Sequence, residues 1–89
     1  MRAVITVTGK DRTGIIAKIS NTLYEQQVNI IDISQTVLSE YFAMIMIVDI
    51  TKITIPFGDF VDRMTEVGKS AGLEIHTMHE DIFNSMHRI

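Results

Sequence analysis

The apolar positions of this 89-residue chain switch repeatedly between a strand-like and a helix-like period. Residues 2–8 are rich in β-branched side chains (Val4, Ile5, Thr6, Val7, Thr8), which predicts a strand. From Gly14 to Gln27, Ile15, Ile16, Ile19 and Leu23 recur at helical spacing, with Lys18, Asn21 and Glu25 on the other face. Residues 28–38 return to strand periodicity: Ile31, Ile33 and Val37 alternate with Asp32, Ser34 and Thr36. Ser39 and Glu40 form the natural turn into a second strand over residues 41–50, although neither is the glycine a tight hairpin turn prefers. Residues 52–56 connect to a helix that Pro56 suits at its start. There Phe57, Phe60, Val61, Met64, Val67 and Ala71 make an apolar stripe. Gly68 within that stripe costs about 1 kcal/mol relative to alanine, which predicts close packing or early fraying, and Gly72 is the helix stop. Residues 73–79 read as a last strand and residues 81–87 as a short terminal helix.

The predicted order is β-α-β-β-α-β. Two split βαβ units joined by a hairpin make an α+β fold, a four-stranded antiparallel sheet with both long helices on one face. The whole chain, residues 1–89, reads as one domain. Its other sheet face is then left bare. The strand over residues 41–50 is apolar on both sides, with Phe42, Met44, Met46 and Val48 on one and Tyr41, Ala43, Ile45 and Ile47 on the other. A strand with one face in water alternates apolar with polar residues, so a partner is expected on the second face, most simply another copy of the chain. Edge-to-edge and face-to-face pairing would both hide apolar surface, and both together give a tetramer.

Composition narrows the function. The apolar fraction is 46% and the mean hydropathy +0.21, high for a small soluble monomer. The formal net charge of −3 argues against binding nucleic acid through phosphate neutralisation. The chain has no cysteine, hence no disulfide or thiolate metal site. No apolar run approaches the ~20 residues of a membrane span, and Arg2, Thr6 and Thr8 interrupt any signal-peptide core. A cytoplasmic protein is expected.

The chemistry concentrates at the first strand–helix junction, residues 9–15. A helix start exposes free backbone N–H groups and holds a carboxylate or phosphate. Gly9 is expected to turn the chain out of the strand. Asp11 is placed to cap the helix or to hold a ligand's amine. Gly14 either packs closely or lets a ligand approach. Lys10 and Arg12 are a solvated face or attract an anion to the loop. Asn29, at the start of the next strand, offers donor and acceptor groups to a neighbouring chain's loop. A carboxylate on backbone N–H groups and an amine on Asp11 or Asn29 describe a small amino acid. His76, His79 and His87 suggest a metal, but His76 and His79 are three apart on a strand and so face opposite sides. No nucleophile elbow, phosphate loop or paired carboxylate cleft is present in the sequence, so no metal, cofactor or catalytic residue is expected.

The run Gly9-x-Asp11-Arg12-x-Gly14-Ile15 after a strand, then Val28-Asn29-Ile30, resembles the ACT domain over essentially the whole chain. Residues 29–37 followed by Glu40-Tyr41-Phe42 resemble small stand-alone ACT proteins of bacteria and archaea. The resemblance implies a ferredoxin-like fold and a non-enzymatic regulatory module that binds a small ligand, most often an amino acid. It implies side-by-side dimers with ligand at the interface, and a separate protein as any regulated enzyme. Carried over, the ligand-binding positions are Gly9, Lys10, Asp11, Gly14, Ile15, Asn29 and Ile30. Serine-binding members carry histidine at the position of Gly9 and asparagine at that of Asp11. Two other classes compete: a purely structural or protein-interaction module, and an acylphosphatase-like hydrolase, which shares the strand order and would use Arg12.

Overall fold

The computed structural model describes residues 1–86. Seven elements follow one another: β1 (Arg2–Lys10), α1 (Ile15–Glu25), β2 (Asn29–Leu38), β3 (Tyr41–Asp49), α2 (Phe57–Ala71), β4 (Leu73–His79) and α3 (Glu80–Met86). The strands form one antiparallel sheet in the order β2-β3-β1-β4. This is the ferredoxin-like βαββαβ arrangement. His87, the last residue of the predicted terminal helix and one of the three histidines, lies outside the described residues.

One face of the sheet carries the core. Ala3, Ile5 and Val7 of β1 lie beside Val48, Met46 and Met44 of β3, and Ile75 of β4 stands opposite Val7. Ile15, Ile19 and Leu23 of α1, spaced four apart, and Phe60, Met64 and Val67 of α2 close over them. All of these side chains are buried. Gly68 sits where α2 meets β4. A Cβ there would lie 2.8 Å from the Leu73 carbonyl oxygen and 2.9 Å from Ile75 Cγ1. Close packing, not fraying, explains this glycine.

Local chemistry sets the element ends. Gly72 ends α2 in the left-handed region at φ 71°, and Asp59 and Lys69 stand at the helix ends that favour their charges. Gln27 (φ 58°) ends α1 and Ser39 (φ 59°) makes the hairpin turn, so two non-glycine residues take the left-handed conformation. No described helix is long and apolar enough to cross a membrane.

The opposite sheet face is not wholly bare. Helix α3 folds beneath it. Val4 points away from the main core, yet is only 1% exposed. The start of α3 is tied to β1 by an Arg2 Nε–Glu80 Oε2 pair at 3.4 Å. Ala43, Ile45 and Ile47 of β3 are half-buried on this face, which corrects the expectation of a fully uncovered one. Edge strand β2 differs: every one of its residues is exposed, including Ile31, Ile33, Val37 and Leu38.

Candidate functional site

The β1–α1 junction is built differently from the sequence expectation. Strand β1 continues through Gly9 and Lys10, which pair with Phe42 and Tyr41. Gly9 therefore does not turn the chain. Its missing side chain makes room for Leu73, whose Cδ2 would sit 2.7 Å from an added Cβ. Asp11 does not cap the helix either. The N-cap residue is Gly14, at φ 87° and ψ 5°, and no side chain caps α1. A cap reaches two or three residues into the helix only from the position directly before it, and Asp11 lies upstream of that. Its backbone N–H instead donates to the Glu40 carbonyl at 2.8 Å, fastening the loop to the hairpin turn.

The first helical bond of α1 runs from the Lys18 N–H to the Gly14 carbonyl at 3.0 Å. The N–H groups of Ile15, Ile16 and Ala17 precede it and have no helical acceptor. They open on a hollow of about 310 Å³ lined by Asp11, Arg12, Gly14, Ile16, Gln35 and Phe42, among others. The Ile15 side chain is buried in the core, so this residue offers the hollow its backbone. A Cβ on Gly14 would meet nothing within 4 Å, so this glycine answers to its left-handed backbone and not to packing. Gly14→Ala is expected to cost about 1 kcal/mol and Gly14→Asn less, because asparagine enters that region more readily. Urea unfolding of both variants checks this.

Asn29 and Ile30 lie elsewhere. They pair with Asp49 and Val48 at the opposite end of the sheet, where β1 begins. A strand rises about 3.3 Å per residue, which separates them from the β1–α1 loop by roughly 25–30 Å within one chain. Around them lies a second hollow, of about 450 Å³, lined by Gln27, Val28, Asn29, Asp49, Thr51 and Lys52. The Thr51 hydroxyl and backbone N–H both donate to Asp49 Oδ1, and together they hold its carboxyl below the ordinary value. The N-terminal ammonium donates to Thr51 Oγ1 at 2.9 Å.

Gln35 and Phe42 are absent from the predicted set, and Arg12 enters only as a solvated or anion-attracting charge and as the arginine of the hydrolase reading. Gln35 had a readable signal: it is a polar residue in the apolar series Ile33, Gln35, Val37 on the helix side of β2. Arg12 Nη2 lies 3.3 Å from where a Gly72 Cβ would sit, over the carbonyl end of α2. The histidines do separate. His79 stacks on Phe57 with ring centroids 3.9 Å apart, while His76 lies on the other face beside Glu74 at 3.6 Å. Among the described residues no three metal-ligating side chains converge.

Sheet order and junction together define a ferredoxin-like α+β module with an open helix start beside its hairpin. The chain belongs to the ACT domain family, whose model matches residues 2–76. It is 46% identical over 89 residues to a UPF0237 protein of Listeria innocua, covering 100% of both chains. It is 47% identical over 88 residues to a UPF0237 protein of Methanocaldococcus jannaschii, covering 99% of this chain and 98% of that one. An ACT domain protein from Streptococcus pneumoniae has a similar structure, with a TM-score of 0.82 and 38% identity over 93% of each chain. The family points to a small-ligand regulatory module rather than a catalytic one.

Proposed function

We propose that this chain is a non-enzymatic regulatory module that binds an amino acid at the interface between two copies. The observation that carries this reading is the separation of its two half-sites. The helix-start hollow lies at one end of the sheet and Asn29 at the other, and both border the exposed edge strand β2. A long apolar edge strand invites another strand. Antiparallel pairing of two β2 strands over their full length sets Asn29 against Leu38 of the second copy. That is the end where the second copy's Asp11 loop and hollow lie. Two identical sites result, each with backbone N–H groups for a carboxylate, and Asp11 with the neighbour's Asn29 for an amine. Lys10 adds positive charge near the carboxylate, and Gly9 and Ile30 hold the flanking backbone. Ligand favouring one dimer geometry over another then changes affinity for a separate enzyme or regulator in the cytoplasm.

A thermal-shift screen against the twenty amino acids tests the reading, combined with sedimentation at micromolar concentration. A dimer with at least one stabilising amino acid is expected, since a ligand of the native state raises apparent stability by mass action. A monomer, or no shift at millimolar ligand, counts against it. The hydrolase reading is disfavoured because the Arg12 guanidinium that a phosphate cradle would need lies over the end of α2.

A further inference from the structure

The sheet face opposite the main helices carries a second, separate groove. Its floor is Val4, Ile45 and Ile47; one wall is Phe83 and Asn84 of α3, and the other is Asp32 of β2. Its volume is about 150 Å³. An apolar cavity of that size accepts a benzene-sized molecule, roughly six heavy atoms.

The position of Asp32 is a product of a specific backbone irregularity. Ile30 stands opposite Val48 and Asp32 opposite Ile47, the next residue back along β3, so Ile31 is an extra residue in a β-bulge. In an unbroken ladder Ile31 would oppose Ile47 on the groove face, and Asp32 would oppose Met46 on the core face. The bulge keeps Asp32 in step with Ser34 and Thr36 on the groove face. A carboxylate therefore stands at the rim of an apolar groove. Bulges commonly re-aim a side chain in this way. The Ile33 N–H donates to Asp32 Oδ1 at 2.9 Å and steadies the carboxylate. The other carboxylate at the groove, Glu80, is already matched by Arg2. Among the described residues Asp32 has no ion-pair partner, and its exposed carboxylate stands over an apolar floor.

We infer that this groove is a binding site for a small apolar monocation, an aliphatic or benzylic primary amine with four to seven carbons and no carboxylate. Its body lies on Val4, Ile45 and Ile47, and its ammonium donates to Asp32. A zwitterionic amino acid fits less well, because its carboxylate would meet both Asp32 and Glu80. The site shares strand β2 with the dimer-interface reading, but it lies on the opposite sheet face and uses neither the helix-start hollow nor Asn29.

The test is an NMR titration of the full chain with isopentylamine at neutral pH, with 3-methylbutan-1-ol as the neutral isostere. Saturable shifts are expected at Val4, Ser34, Ile45 and Ile47, and none at Ile15, Ile16 and Ala17. Asp32→Asn keeps an acceptor for the Ile33 N–H but removes the charge, and should weaken amine binding about tenfold while leaving the alcohol unchanged. Ile45→Trp fills the groove and should abolish the amine response, with the remaining spectrum reporting an intact fold. Equal binding of alcohol and amine overturns the inference, as does an unchanged affinity in Asp32→Asn. So do shifts confined to the helix-start hollow or the absence of any saturable response. Shifts that follow protein concentration and not amine would make the face a contact between copies, and also overturn it.

Discussion

Phe60→Ala is expected to lose about 3–5 kcal/mol of unfolding free energy, read as a large fall in the urea midpoint with little change in slope. Phe60 is fully buried and lies in the first turn of α2, on its apolar stripe. Its ring sits 6.4 Å from that of Phe57, so the two aromatics anchor the helix together. Truncation removes a whole ring from water-free packing and leaves a cavity that helix and sheet cannot both close. Native domains hold only about 5–15 kcal/mol in reserve, and small ones less apolar burial per residue. The variant should therefore be substantially unfolded at physiological temperature. A loss below about 1 kcal/mol would mean that α2 is not anchored through this residue.

The second large effect has a sign opposite to helix propensity. Gly68→Ala in a solvent-facing helix would stabilise by about 1 kcal/mol. Here the new methyl would press on the Leu73 carbonyl at 2.8 Å, a backbone atom that cannot rotate away. Overpacking costs typically ~1–3 kcal/mol, and a rigid neighbour places this site at the upper end. A net loss of about 2 kcal/mol is expected in urea unfolding. A more stable variant would show that α2 and β4 are free to separate at this point.

Strand order and helix faces were legible because the two periods are well separated in this chain. Ile15, Ile19 and Leu23 can share one side only in a helix, and Phe42, Met44, Met46 and Val48 only in a strand. The doubly apolar β3 was likewise readable, although helix α3 already covers part of what it appeared to leave open. The errors fall where backbone conformation, and not side-chain pattern, decides. Asp11 resembled a cap because capping preferences are written in side chains, whereas Gly14 starts the helix through a left-handed φ of 87°. Gly9 suggested a turn, but its missing Cβ serves Leu73, a partner more than sixty residues away that local pattern cannot reveal. The Ile31 bulge was hidden for the same reason: Ile31 and Asp32 fit simple alternation, and only the register against β3 exposes the extra residue. The proposed ligand positions fall into two groups along the chain. That they lie at opposite ends of one sheet follows from the antiparallel register alone.

That register has a further consequence at the ends of the sheet. Ala3 pairs directly with His79, so the first strand begins beside the point where the fourth strand finishes. Neighbouring strands lie about 4.8 Å apart. A longer polypeptide could therefore leave its own fold, run through this sheet and its two main helices, and return almost to its starting point. Units whose ends meet in this way travel well between proteins, because splicing them in stretches neither the guest nor the host. The architecture is, in this sense, a cassette.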